Sequence, residues 1–173
     1  MKTKSEYPRV RLATPEDLPQ VLDMGRALHA ENGMTALNED MIEAVAQSGV
    51  AGDGAIIGVI GAPGQLEGMI QLAITRYYYS SELHLEEMYS YVRPEFRRSK
   101  NARSLLMFAK SCSDRLNVPL LIGIVSNKDT KRKIALYERV LGEPAGAYFL
   151  YNARTGVAEA APQIVEAGNG RQH

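Results

Sequence analysis

The chain is poor in the residues that mark several protein classes. Cys112 is its only cysteine, so no disulfide can form within the chain. It has no tryptophan, and its three histidines and one cysteine lack the spacing of a zinc site, so no metal is expected. No apolar run approaches the ~18 residues needed to cross a bilayer, and no membrane association is expected. Met1 to Arg11 is charged and has no apolar stretch of the kind found in secretory signals. With the single cysteine, this points to a reducing, cytoplasmic setting. An excess of one charge is missing too. Lys plus Arg total 20 and Asp plus Glu total 20, which argues against a dedicated nucleic-acid binder while leaving room for a local basic patch.

What is present suits one buried core. The chain has 173 residues, 45% hydrophobic and 23% charged, the size and composition of a single domain. Val10 and Leu12 alternate in a short strand over 9–14. Thr14-Pro15-Glu16-Asp17 then supplies a cap, a proline suited to the first helical position and two acids where the helix dipole favours them. Leu18, Val21, Leu22, Gly25 and Leu28 continue as one helical stripe, and Asn38 caps a second helix bearing Met41, Ile42 and Val45. Strands are expected over 54–61, 66–79 and 83–92, joined by short turns into an antiparallel meander. Ala102, Leu105, Leu106, Ala109, Cys112 and Leu116 lie at helical spacing. A nearly all-apolar strand at 120–125 follows, then a helix carrying Ile134, Tyr137, Val140 and Leu141, and a last strand at 147–151. The expected fold is mixed α/β, a mostly antiparallel sheet with helices on both faces. One β-α-β crossover makes the strands at 83–92 and 120–125 parallel neighbours. Residues 1–152 form the domain, and 153–173, without periodicity, read as a flexible tail.

One segment carries chemistry. From Val92 to Leu106 a strand ends, a loop bearing Arg97, Arg98 and Lys100 follows, and a helix begins at once. A helix start offers unpaired N–H groups and a positive dipole end, a ready phosphate site, to which the basic side chains add charge. The same run also suits a solvated basic connection.

This segment resembles the acyl-CoA-binding motif of the GNAT superfamily of N-acetyltransferases. Val92, Pro94, Phe96, Arg97 and Ala102 match in register, and Leu105-Leu106 match the paired apolar residues of the following helix. Lys100 stands where the family has its first Gly, whose bare backbone allows close approach to a pyrophosphate. Similar variants in phage-encoded members are compatible with a phage-type origin. Val10 to Asp17 is similar to the family's first strand and helix entry, and Ile134 to Arg139 to its second cofactor motif. The likeness covers about residues 8 to 152 and implies a GNAT-like fold binding acetyl-CoA as acyl donor.

The resemblance assigns the cofactor to the backbone of Tyr91 and Val92 and to Arg97, Arg98, Ser99, Lys100, Asn101, Ala102 and Asn127. It makes Tyr137 the proton donor to the leaving sulfur. Asn127 and Tyr137 are ten residues apart where the family has seven, which weakens the match at Asn127 more than at Tyr137. Glu86 and Glu87 are candidate bases, placed by alternation on opposite faces of their strand, and Glu86 occupies a family position for such a base. Tyr77, Tyr78 and Tyr79 suit either an acceptor pocket or turn packing. His29 and His84 read as structural, and Cys112 as core.

The implied activity is acetyl transfer from acetyl-CoA to a primary amine of a small molecule or protein. Polyamine, amino sugar, protein lysine, protein N-terminus and modified nucleobase all remain open as acceptors. Two other readings stand beside it. One is an inactive CoA-binding or interaction module, favoured by Lys100. The other is a nucleic-acid-directed acyltransferase with Arg93, Arg97, Arg98, Lys100 and Arg103 as a backbone-binding strip. A homodimer is a further open partner.

Overall fold

The computed structural model describes residues 9–33, 35–126 and 129–149. Its sheet runs in the order β1 (Arg11–Leu12), β2 (Ala55–Ala62), β3 (Gln65–Arg76), β4 (Leu83–Val92) and β5 (Leu120–Leu121). The helices are α1 (Leu18–Asn32), α2 (Glu39–Ala51), α3 (Asn101–Leu116) and α4 (Thr130–Leu141). β1 to β4 pair antiparallel and β5 lies parallel to β4, so α3 makes the single crossover that the sequence leads one to expect.

Alternation along the strands divides the core between two faces. Ile57, Val59 and Met69 pack with Val21 and Met24 of α1 and Ala46 of α2. Ile60, Ile70, Leu72 and Leu85 pack with Leu105 and Ala109 of α3. Gly58 lets α3 sit close, because a Cβ there would lie 2.5 Å from the Phe108 ring. Cys112 packs against this second cluster, and burial raises its thiol pKa.

Thr14 opens a 3-10 turn, Pro15–Asp17, before the α-helix proper starts at Leu18. The fully buried Asp17 accepts from the Thr14 amide at 2.8 Å and from both ends of the Arg11 guanidinium at 2.7 and 2.8 Å. Chiefly through the Arg11 hydrogen bonds, its pKa falls to about 2. This clamp ties β1 to the entry of α1. Asn38 caps α2 as expected, accepting from the Met41 amide at 3.1 Å.

Three strand expectations need correction. β3 stops at Arg76 because the chain turns away there. Tyr77 stacks on His84 at 4.2 Å and on Tyr79 at 5.2 Å, while Tyr78 is wholly exposed. β5 ends at Leu121, not 125, because it parts from β4 after two residue pairs. Residues 147–149 form no strand; the segment has apolar character, but no described residues pair with it and Phe149 is 94% exposed. Residues 150–151 of that expected strand, and the expected tail, lie outside the described residues.

Candidate functional site

The parting of β4 and β5 creates the site. Among the described residues they pair only at Leu85 with Leu120 and Glu86 with Leu121, and beyond that point no described strand pairs with this edge of β4. The gap opens into a groove of about 990 Å³ between the α1–α2 connection, the end of β4, the start of α3 and one side of α4. A bulge in β4 shapes its wall. Gln71 pairs with Tyr89 and Leu72 with Glu87, leaving Met88 as an extra residue. On the α1 side, Tyr89 and Tyr91 join the core, and Glu86 lies 3.9 Å from His84. On the other, Glu87 faces α4. The two glutamates thus occupy opposite faces, as alternation requires.

The Tyr137 hydroxyl donates to Glu87 Oε1 at 3.4 Å, while Glu87 Oε2 is buried without a hydrogen-bond partner among the described residues. Burial pushes the Glu87 pKa up to about 7, against the opposing pull of the Ser90 and Tyr137 hydroxyls and the Lys133 charge. Burial and the neighbouring Glu87 charge raise the Tyr137 pKa, so the phenol keeps its proton. One turn earlier on α4, Lys133 donates through Nζ to Ser126 Oγ. Burial and the Arg97 charge lower its pKa. Sequence reading missed Lys133, although its four-residue spacing from Tyr137 places it on the same helix face.

Arg97 is engaged within the protein. It donates through Nε to the Val92 carbonyl at 3.0 Å and through Nη2 to Glu31 at 2.6 Å, with its guanidinium 5.3 Å from the Tyr91 ring centre. The Tyr91 hydroxyl donates to the same Glu31 oxygen at 3.3 Å. Glu31 was also missed; it comes from α1, far away in sequence, and no local pattern announces it. Its arrival joins the end of α1 to the end of β4.

The basic loop divides into groups with different surroundings. Ser99 Oγ donates to the Phe96 carbonyl at 2.6 Å and accepts from the Asn101 amide at 3.1 Å, which closes the loop ahead of α3. Ser99, Ala102 and Arg103 line the groove, and Arg98 and Lys100 are exposed beside it. Lys100 has φ −86° and ψ 4°, a conformation open to any residue, so this backbone needs no glycine. Asn101 is buried and its Nδ2 donates to Glu67 at 2.8 Å, which gives that side chain a structural task. Asn127 lies outside the described residues. Thr130 stands seven residues before Tyr137, and its hydroxyl donates to the Ser126 carbonyl at 2.7 Å.

The other aromatic and histidine candidates stand apart from this chemistry. Tyr77, Tyr78, Tyr79 and His84 do not line the groove. His29 does line it, but its Nε2 is held 2.7 Å from the Thr35 carbonyl and braces the α1–α2 connection. Among the described residues no cluster of side chains is suited to a metal ion, and no helix is long and apolar enough to cross a membrane.

A meander, one parallel crossover and a parting of β4 from β5 beside a helix start define a known architecture. AAC(6')-Iy in complex with the bisubstrate analogue CoA-S-monomethyl-acetylneamine shares it, with a TM-score of 0.67 over 86% of this chain and 99% of that one, at 15% identity. The fold is that of the GNAT-type acetyltransferases. A predicted acetyltransferase with acetyl-CoA from Clostridium acetobutylicum matches with a TM-score of 0.64 over 83% of this chain and 95% of its own, at 12% identity. The ribosomal-protein-alanine N-acetyltransferase from Brucella melitensis biovar Abortus 2308 matches with a TM-score of 0.62 over 86% and 99%, at 13% identity. No protein-family model and no curated protein sequence matches the chain. The likeness is one of fold, with little sequence identity.

Proposed function

We propose that this chain is an acetyl-CoA-dependent N-acetyltransferase acting on a primary amine by direct attack on the thioester. The observation that carries the reading is the Glu87–Tyr137 pair set where β4 parts from β5, in a groove that also reaches the start of α3. The chain's residues fit the donor. The first turn of α3 has amides without intrahelical acceptors, Arg97, Arg98 and Lys100 surround it, and the backbone at Lys100 is unstrained. This edge of β4 suits the amide-bearing pantetheine arm, in the manner of an added strand. Acetyl-CoA, when bound, supplies an acetyl group already activated as a thioester.

Each residue of the pair has a protonation state suited to its role. An amine must lose a proton to attack, and Glu87, with a pKa of about 7, is poised to take it near neutral pH. As the N–C bond forms and the C–S bond breaks, the Tyr137 hydroxyl gives its proton to the departing sulfur. The ammonium proton taken by Glu87 is released to solvent. The second proton, which the nitrogen sheds as the amide forms, passes to Glu87 and along the Glu87–Tyr137 hydrogen bond to the Tyr137 oxygen, which resets both groups. This arrangement favours Glu87 over Glu86 as the base, since Glu86 is half exposed and its neighbour is His84. The ammonium form of the acceptor is drawn in by the ionised Glu87 carboxylate. Arg97 holds the end of β4 and α1 in place through the Val92 carbonyl and Glu31, and its charge beside the start of α3 favours the donor's phosphates.

Thermal unfolding with acetyl-CoA tests the reading. A ligand that binds only the folded state adds about 2.7 kcal/mol at a hundredfold excess over its Kd, a rise in Tm of several degrees. Arg97→Ala is expected to reduce that rise. An unchanged Tm at millimolar acetyl-CoA in the parent protein refutes donor binding and the proposed function with it.

A further inference from the structure

From the lining of the groove on the α1–α2 side, we infer that the acceptor is a monoamine with an apolar body, rather than a polyamine or an amino sugar. The inference rests on the acetyltransferase reading and adds the chemical class of the acceptor. Leu37, Met41 and Ile42 of the α1–α2 region line the groove together with Met88 of the β4 bulge and Tyr148. Met41 is 65% exposed and Met88 48% exposed, so both leave apolar surface in water that a ligand would cover. Methionine is flexible and polarizable, and it moulds itself to apolar ligands of varied shape.

Charge points the same way. A polycationic acceptor requires a surplus of carboxylates spread along its site. Here the carboxylates lining the groove do not outnumber its Arg and Lys side chains. Glu31 is already paired with Arg97, and Asp129 lies within reach of the Lys133 charge. Glu86 and Glu87 remain, on opposite faces of β4, and Glu87, on the α4 side, is the one set beside Tyr137. That is the arrangement for one ammonium at the inner end and a hydrocarbon body lying outward over Met88 and Met41. Hexylamine serves as the model. Its nitrogen bonds to the acetyl carbon as the C–S bond breaks, giving N-hexylacetamide and the free thiol of CoA. Of the two protons the ammonium loses, one leaves through Glu87 to solvent and the other replaces, through Glu87, the one Tyr137 gives to the sulfur.

The experiment compares ethylamine, butylamine, hexylamine and spermidine on the full chain, by calorimetric titration and by mass spectrometry of the acetylated product. Each methylene covered is expected to tighten binding about three- to fourfold, so hexylamine binds far better than ethylamine. Met41→Asp, at a solvent-facing position, is expected to weaken hexylamine tenfold or more while acetyl-CoA affinity holds. No dependence on chain length, tighter binding of spermidine, or unchanged hexylamine affinity in Met41→Asp overturns the inference. Acetylated spermidine without hexylamine binding would sink the acceptor class and leave the acetyltransferase standing. Length-dependent binding of hexylamine with no product and no acetyl-CoA binding would support the site and sink the transfer reaction.

Discussion

Replacing Glu87 by glutamine separates chemistry from stability, because the two are expected to move in opposite directions. The Glu87 pKa is raised from 4.5 to about 7, chiefly by burial. At 1.36 kcal/mol per pH unit, ionising this group in the folded protein costs about 3 kcal/mol more than in the unfolded chain. The pH window follows from that direction. Below about 4.5 the carboxyl is neutral in both states and the glutamine variant matches the parent. Between 4.5 and 7 the unfolded chain ionises first, and the parent loses stability as pH rises. Above about 7 the full penalty applies. The glutamine side chain carries no charge and still offers an amide oxygen to the Tyr137 hydroxyl, so the variant avoids the penalty. Lys133 loses an opposing charge in the exchange, which offsets part of the gain. The expected result is a Tm at pH 8 higher than the parent's by roughly 6–12 °C at most, shrinking towards zero at about pH 4.5. Turnover is expected to fall about 10²–10⁴-fold, and the parent's kcat/KM to rise with pH up to about 7 and then level. Calorimetric scans at about pH 4.5, 6 and 8, with rates over the same range, measure both effects. A Tm difference that does not change with pH, or full activity in Glu87→Gln, refutes the reasoning.

Tyr137→Phe keeps the ring and removes only the proton donor; turnover should drop about 10²–10⁴-fold while acetyl-CoA affinity holds, and full activity with a good acceptor would remove Tyr137 as the acid. Asp17→Asn should destabilise the protein by about 2 kcal/mol at pH 7 in urea titrations, because Arg11 holds the Asp17 pKa down to about 2. The Asp17 contribution is present above the ordinary carboxyl range and is lost as pH falls from about 4 towards 2, so parent and variant should converge there; an undiminished difference at pH 2 would assign the effect elsewhere.

Local patterns in the sequence settle the elements of this protein. Thr14-Pro15 and Asn38 mark helix entries, the stripe from Leu18 to Leu28 orients α1, and the apolar spacing from Ala102 to Leu116 orients α3, because capping and amphipathic burial act over a few residues. The run from Val92 to Ala102 announces the loop at the start of α3, and the resemblance of Ile134 to Arg139 to a cofactor motif singles out Tyr137, which helical spacing alone puts only at the edge of an apolar stripe. Contacts between distant segments decided the rest. Strand 120–125 shortened to two residues because β4 and β5 part, and that parting depends on what packs around both strands. Glu31 reaches Arg97 and Tyr91 from a helix far back in the chain, with nothing local to signal it. Alternation put Glu86 and Glu87 on opposite faces, but only the packed chain buried Glu87, which raised its pKa, and brought the Tyr137 hydroxyl of α4 to it. A proton-transfer site depends on burial and on which groups meet, and both are properties of the packed chain.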